Sequence, residues 1–144
     1  AGEITHYMGK ISRPLLDRID ISTEVPPVSF SQLHCGRKGE NSAAIRKRVE
    51  KVQKIQEERY KDEKINFNGQ LKSSLIDKFC PLTDSASRLL ARAFEKIGFS
   101  ARSYHRILKV GRTIADMEGE EMIAGHHIGE ALSYRAFDKD SVIK

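Results

Sequence analysis

The residue of this sequence best placed to do chemistry is an arginine between two acids. Arg18 follows Asp17 directly and precedes Asp20 by two positions. Carboxylates can hold an arginine while its planar guanidinium points outward, which suits contact with a phosphate group. The alternative is a local salt bridge, which is common on protein surfaces and contributes little to stability. From the residues alone, the salt bridge is the more common outcome.

The histidines and cysteines do not predict a metal site. His126 and His127 are neighbours in a predicted helix, so we expect their side chains to point in different directions. His105 has no histidine or carboxylate at the spacing of a shared ligand set. Cys35 and Cys80 are far apart and have neither metal-ligand spacing nor the pattern of a disulfide framework, so both are interpreted as structural thiols.

The sequence contains none of the common loops that hold a phosphate or a nucleophile. G-x-x-x-x-G-K-[ST], G-x-G-x-x-G and G-x-S-x-G are all missing. We therefore do not expect the chain to catalyse hydrolysis on its own. Its net charge of +5 favours a polyanionic partner such as a nucleic acid or nucleotide, although a solvated lysine-rich surface is an equally good explanation.

Length and composition predict one folded, soluble unit. The chain has 144 residues, of which 39% are hydrophobic and 31% are charged, as in globular proteins. It shows neither a membrane-spanning apolar run nor a signal peptide, so a cytoplasmic location is expected. The first residues, Ala1 and Gly2, suggest a fragment or a processed chain.

The elements that position these residues are one strand followed by helices. Apolar or β-branched residues alternate with polar ones over 18–25, which predicts a strand ended by Pro26 and Pro27. A basic loop from Val28 to Asn41 follows. Helical spacing, caps and breakers then predict five helices, over 42–60, 71–79, 84 or 85 to 97, 100–119 and 126–135.

The helix that begins after Ser100 carries different residue types on two sides. One side is apolar and is expected to face the core, and the other side is basic and is expected to face solvent. The apolar side carries Tyr104, Ile107, Leu108, Ile114 and Met117, and the basic side carries Arg102, His105, Arg106, Lys109 and Arg112.

Three segments give the chain a family resemblance. Residues Pro14–Ile21 resemble the segment that closes the nucleotide core of magnesium-chelatase-like AAA+ ATPases of the ComM/YifB type, and Ser100–Asp116 and His127–Arg135 resemble the helical lid of that family. The resemblance covers most of the chain, and it is least in the Val28–Asn41 loop and the polar tail. Two residues depart from it: Arg13 replaces a glycine, and Gly111 replaces an alanine at a cost of about 1 kcal/mol of helix stability.

The resemblance implies roles for two arginines. Arg18 takes the position of the arginine finger, which reaches the nucleotide of a neighbouring subunit in a ring. Arg102 takes the sensor-2 position, which contacts the γ-phosphate of ATP. The implied fold is mainly α, a helical lid bundle over 42–144 that follows one residual core strand and a basic loop over 1–41.

The resemblance also implies the setting in which the chain works. ATP and Mg would be bound by a longer parent protein, and neither would be bound by this chain alone. The implied partners are the other subunits of a homo-oligomeric ring motor and DNA, with no membrane, and the implied role is DNA processing.

A helix-turn-helix DNA-binding module is the alternative. Residues 85–117 form two predicted helices joined by a turn at Gly98–Ser100, and the second helix has basic positions. In this alternative Arg102, Ser103, Arg106 and Lys109 would contact DNA. It leaves the Pro14–Ile21 segment without a role.

Overall fold

The computed structural model describes residues 12, 15, 18–23, 25–30 and 39–135. Within them the protein is mainly α-helical and has no β-sheet, which confirms the predicted fold class. The helices are α1 (Ser42–Arg59), α2 (Ser73–Phe79), α3 (Asp84–Ile97), α4 (Ala101–Glu118) and α5 (Gly125–Ser133), with a 3-10 turn at Asn68–Gln70 between α1 and α2.

Side chains of the predicted type cap three of these helices, and two of the caps lie one residue before the expected position. Asn41 caps α1 and Thr83 caps α3, each accepting a hydrogen bond from a backbone N–H in the first turn. Ser100 caps α4 as predicted. Gly98 and Gly119 end α3 and α4 with φ of 69° and 80°, in the left-handed region that favours glycine.

Helix α4 lies at the centre of the bundle. It packs against α5, α1, α2 and the 3-10 turn, and α5 also packs against α3. Its predicted apolar side is buried at three positions, half-buried at Tyr104 and exposed at Met117. The buried apolar core comprises Tyr60, Leu71, Ile76, Cys80, Ala86, Leu90, Phe99, Ile107, Leu108, Ile114, Ala115, Ile123, Ile128 and Ala131.

Gly111 of α4 packs closely against Ile128 of α5 and against Ile123, which lies just before α5. A Cβ atom at this position would lie 3.2 Å from Cδ1 of Ile128 and 3.3 Å from Cγ2 of Ile123, and both isoleucines are completely buried. The glycine that sequence reasoning treated only as a cost to helix stability therefore also makes room for the neighbouring side chains. Its packing role depends on residues far along the chain, which helix propensity does not include.

The strand predicted over 18–25 is not formed in the described residues. This segment makes one isolated parallel bridge, between Ser22 and Arg135. Ile19, Ile21 and Val25, which alternate as in a half-buried strand, are exposed. An extended segment becomes a strand only when a neighbouring strand pairs with it, and the described residues offer this segment a single partner.

Several predictions concern residues outside the described ranges. These are the central part of the basic loop, including Cys35, Arg37 and Lys38, the residues Arg13, Pro14 and Asp17, and the tail after Arg135. Cys80 is described, and it is a buried free thiol as expected; burial raises its pKa to about 11. No helix among the described residues combines the length and apolar character needed to cross a membrane.

Candidate functional site

A basic cleft lies along the first half of α4. Arg102, His105, Arg106 and Lys109 are three or four positions apart, so they share one face of the helix. The 3-10 turn and the start of α2 form the opposite wall, and Asp20 lies at the edge. The volume of this cleft is about 410 Å³, and its lining residues are Asp20, Gly69, Leu71, Ser73, Ala101, Arg102, His105, Arg106 and Lys109.

The cationic groups of the basic cleft differ in their partners. Arg106 forms an ion pair with Asp20, and Nζ of Lys109 donates a hydrogen bond to the carbonyl oxygen of Gly69 at 3.0 Å. Arg102 is exposed, and no ion pair or side-chain hydrogen bond of its guanidinium occurs within the described ranges. Burial lowers the pKa of Lys109, and the carboxylate of Asp20 opposes this shift. The cleft thus combines one open guanidinium with two engaged cations.

Arg18 lies outside this cleft, on the segment that leads to it. Its side chain is exposed, and its backbone N–H donates to the carbonyl oxygen of Leu15 at 2.9 Å. Asp20 pairs with Arg106 instead of Arg18, so the local salt bridge that the sequence favoured is not formed with that acid. The second acid, Asp17, lies outside the described residues. Within the part of the chain that is described, the Arg18 guanidinium has no ion pair.

The segment 18–23 is attached to the helical bundle at two further points. Nη1 of Arg135 donates to the carbonyl oxygen of Ile19 at 3.1 Å. The backbone N–H and the hydroxyl of Ser22 both donate to the carbonyl oxygen of Tyr134, at 2.8 and 2.9 Å. The candidate finger residue is therefore carried on a segment that touches both α4 and the end of α5.

A buried polar network occupies the second half of α4, and sequence reasoning missed it. Arg112, predicted to face solvent, is only 1% exposed, and its Nε donates to the Asp116 carboxylate at 3.1 Å. Arg59 of α1 forms two hydrogen bonds to the same carboxylate, one of 2.8 Å. Asn68 and Gln56 donate to it at 2.8 and 3.2 Å. Arg112 and Asp116 are four positions apart, and this spacing is the sequence signal that could have predicted their ion pair.

The remaining donors of Arg112 hold the connection between α4 and α5. Its two terminal nitrogens donate to the carbonyl oxygens of Glu120 and Glu121. No buried side-chain nitrogen or oxygen within the described ranges lacks a hydrogen-bond partner. Each buried side-chain nitrogen and oxygen of this network thus has a partner, so we interpret the network as structural.

The two adjacent histidines converge on one carboxylate, contrary to the sequence prediction. Nε2 of His126 and Nε2 of His127 each lie 3.0 Å from Oε2 of Glu118, and the ring centres are 4.0 Å apart. Such a group has the donor atoms of a metal site. The prediction failed because both rings turn toward Glu118 at the end of α4. The position of a residue along a helix does not determine the direction in which its side chain turns.

Hydrogen bonding at His127 argues against a metal there. Its Nδ1 accepts a hydrogen bond from the backbone N–H of Ala124 at 2.9 Å. In neutral imidazole only one nitrogen carries a proton, so Nε2 of His127 must be the donor to Glu118 and has no lone pair for a cation. The group instead links the end of α4 to the start of α5.

The helix-turn-helix alternative fits this geometry poorly. Of the four residues expected to contact DNA, Ser103 is 2% exposed and its hydroxyl accepts a hydrogen bond from Arg135. Arg106 and Lys109 are engaged by Asp20 and by Gly69, and Arg102 is the one of the four that is exposed.

Family comparisons agree with the resemblance seen in the motifs. The family described as magnesium chelatase, subunit ChlI C-terminal, matches residues 39–135, which is more than half of the chain. The family described as magnesium chelatase, subunit ChlI, matches residues 1–33.

Individual relatives match across nearly the whole chain. Competence protein ComM of Haemophilus influenzae is 45% identical over 135 residues, which are 93% of this chain and 26% of that protein. The uncharacterized proteins YifB of Salmonella typhimurium and of Escherichia coli are 39% and 36% identical, each over 92% of this chain and 26% of the relative. The chain thus spans about a quarter of the length of these relatives, and it belongs to the magnesium-chelatase-like family that contains ComM and YifB.

Proposed function

We propose that this chain supplies the arginine finger and the sensor-2 lid of an ATP-driven AAA+ ring motor. The observation that carries the proposal is the basic cleft of α4, where Arg102 is exposed beside Arg106 and Lys109. A cleft with several cationic donors suits phosphate oxygens, since charge-assisted hydrogen bonds are the strongest that side chains make. Membership of the magnesium-chelatase-like family supports the same function.

In this proposal Arg102 would contact the γ-phosphate of ATP bound by its own subunit. Bound ATP supplies the phosphoryl group to be transferred, with Mg²⁺ as its counter-ion. The chain lacks a G-x-x-x-x-G-K-[ST] loop, so the remaining phosphate and metal contacts would come from a longer protein. The role of this chain is to place a positive charge beside the γ-phosphate and to close over the nucleotide.

Arg18 would act on the nucleotide of the neighbouring subunit. Its guanidinium is exposed and makes no ion pair within the described ranges, as a residue that reaches another subunit requires. A fixed guanidinium stabilises the negative charge of the transferring phosphoryl group, and fingers in other NTPases contribute roughly 10³ to 10⁵ in rate. A finger used in this way requires a ring or another oligomer.

We extend the proposal to DNA processing in the cytoplasm. Its support is the family resemblance together with the net charge of +5, which favours a polyanionic substrate. DNA passed through the centre of a ring would need no helix-turn-helix contact from α4. Fluorescence anisotropy of labelled DNA with this chain across a salt series distinguishes DNA passage through a ring from helix-turn-helix binding. Tight, sequence-dependent binding would favour the helix-turn-helix module.

The test uses a full-length protein that contains this chain. We expect Arg18→Ala to abolish most ATP turnover while leaving binding of a labelled ATP analogue largely intact, because the finger acts on charge that develops during transfer. Arg92→Ala, at an exposed position of α3, is the matched control and should keep its turnover. Unchanged turnover in the Arg18 variant would refute the finger assignment.

Mixed assembly tests whether the two arginines serve different subunits. Rings of Arg18→Ala alone or Arg102→Ala alone should be nearly inactive. In a random mixture, about one site in four would combine an intact Arg102 with an intact Arg18 from its neighbour. Recovery of activity on mixing is expected, whereas two arginines acting at the same subunit's site would give no recovery.

A further inference from the structure

Asn68 connects the buried polar network to the wall of the basic cleft. It is the first residue of the 3-10 turn and is only 2% exposed. The next residue is Gly69, whose carbonyl oxygen accepts a hydrogen bond from Nζ of Lys109 at 3.0 Å. The group that holds the Lys109 ammonium therefore directly follows a residue of the structural network.

Five hydrogen bonds hold the side chain and the backbone N–H of Asn68. Nδ2 donates to the Asp116 carboxylate at 2.8 Å, and Oδ1 accepts from the Tyr60 hydroxyl at 2.6 Å. The partners in α1, at its C-terminal end and in α4 are Gln56, Arg59, Tyr60, Thr113 and Asp116. A shift of the 3-10 turn would leave some of these buried groups unpaired, which is costly.

Lys109 keeps donors that a ligand can use. An ammonium has three N–H donors. Gly69 takes one of them, and no other hydrogen bond of this group occurs within the described residues. The side chain is half-buried, and burial lowers the pKa of Lys109. The ammonium thus lies in the wall of the basic cleft with part of its water already removed and with donors available.

A lysine that is held in place before a ligand arrives favours binding. The lysine side chain is long and flexible, and ordering such a side chain on binding lowers the affinity. A cation that is already in position avoids this loss. The Gly69 carbonyl can hold Lys109 only while the 3-10 turn keeps its place, and the hydrogen bonds of Asn68 keep it there.

We propose that Asn68 is a positioning residue of the anion site in the basic cleft. It does not contact the ligand itself. It fixes the 3-10 turn, so that the Gly69 carbonyl holds the Lys109 ammonium ready for a phosphate group that is also bound by Arg102. This inference rests on the proposed function for the identity of the ligand.

The first test measures the order of the lysine ammonium groups in the unchanged chain, by ¹⁵N relaxation of Nζ without ligand. We expect Lys109 to be well ordered, because Gly69 holds it. Lys51, at an exposed position of α1, is the control and should be mobile. A Lys109 ammonium as mobile as that of Lys51 would overturn the proposal. This measurement needs no variant, so it does not depend on whether a variant folds.

The second test removes the side-chain amide of Asn68. Asn68→Ala should lower the order of the Lys109 ammonium toward that of Lys51. Leu90→Val, in the buried core at α3, is the control for a loss of stability and should leave Lys109 ordered. Asn68→Ser, which keeps one donor and one acceptor, replaces Asn68→Ala if that variant does not fold. Unchanged order of Lys109 in a folded Asn68 variant would overturn the proposal.

The third test asks whether Asn68 acts through Lys109, with inorganic tripolyphosphate as the probe and titration calorimetry at low salt. Asn68→Ala should weaken binding about two- to tenfold, the range for immobilising one flexible side chain. Lys109→Gln should also weaken it, because one cation is gone. Asn68→Ala should bring no further loss when it is added to Lys109→Gln. Equal losses in both backgrounds would show that Asn68 acts on stability in general, which would overturn the proposal.

The positioning role and the proposed function fail in different ways. Absence of tripolyphosphate binding to the unchanged chain would overturn the positioning role, and an effect of Arg18→Ala on turnover of the full-length protein would still stand. Conversely, unchanged turnover of the Arg18 variant, together with an ordered Lys109 that depends on Asn68, would remove the finger and keep the anion site.

Discussion

The two halves of helix α4 use arginine in opposite ways. In the second half, Arg112 is buried, and all three of its nitrogens donate hydrogen bonds, one to Asp116 and two to carbonyl oxygens of the α4–α5 connection. In the first half, Arg102 is exposed and Arg106 holds a single exposed carboxylate. The difference shows that the availability of a charge, more than the presence of a basic residue, distinguishes a binding site from a structural network.

Burial explains why the two halves should respond differently to mutation. A charge removed from water must be compensated by its partners, so breaking one side of a buried pair leaves the other side uncompensated. An exposed pair loses little, because water replaces the partner. The four predictions below test this contrast, and they run from the largest expected effect to the smallest.

Asp116→Ala should be the most damaging of these changes. It leaves Arg112 and Arg59 without their shared carboxylate, and we expect a loss of about 3–5 kcal/mol in the free energy of unfolding. Urea denaturation of the chain measures it. Asp77→Ala, at an exposed acid of α2, is the matched control and should change the free energy by less than about 0.5 kcal/mol. A loss below about 1 kcal/mol for Asp116→Ala would mean that water takes over the role of the carboxylate.

The sequence predicts the helices of this fold well and its polar interior poorly. Five helices follow from apolar spacing and from cap residues such as Ser100, because these signals are local. The burial of Arg112 depends on α1 and on the 3-10 turn, which lie more than forty positions earlier. Contacts between distant segments decide such positions, and helical periodicity carries no information about them.

Gly111→Ala tests the close packing between the buried half of α4 and α5. The added methyl group would meet Ile128 and Ile123 at 3.2 and 3.3 Å, and overpacking of this kind costs about 1–3 kcal/mol. The gain in helix propensity returns about 1 kcal/mol. We therefore expect a net loss of about 1 kcal/mol in the free energy of unfolding, measured by urea denaturation.

A second variant shows whether the loss comes from the contact. Ile123→Val combined with Gly111→Ala removes one methyl group near the added one, so the pair should lose less than the sum of the two single changes. Additive losses would place the cause in the backbone of α4. A stabilised Gly111→Ala variant would mean that both isoleucines shift at little cost.

The candidate site was predicted in part. Arg102 was selected by family resemblance, and the structure places it on a face with His105, Arg106 and Lys109, as its helical spacing implies. The role of Asp20 in this cleft was not predicted, since it follows from a contact between residues 86 positions apart. The finger and sensor roles of Arg18 and Arg102 stay predictions.

Arg102→Gln should separate binding from stability. The residue is exposed and makes no ion pair within the described ranges, so its loss should change the free energy of unfolding by less than about 0.5 kcal/mol. The same variant should bind tripolyphosphate more weakly at low salt, because one cation of the cleft is gone. Denaturation and calorimetry on one preparation give both values, and a large loss of stability would assign Arg102 to the structural group instead.

Glu118→Gln concerns the group that joins the two ends of α4 and α5, and its effect should be the smallest. Hydrogen bonds from His126, then from His127, hold the pKa of Glu118 below its ordinary value of 4.5. A carboxyl with a lowered pKa in the folded state contributes stability that is present above its unfolded pKa and is lost as pH falls through its folded pKa. The unchanged chain should therefore exceed Glu118→Gln in stability at pH 6, and the difference should shrink as pH falls below 4.5. Urea denaturation from pH 6 to pH 3 measures this difference, and a difference independent of pH would mean that it does not come from the charge of the carboxylate.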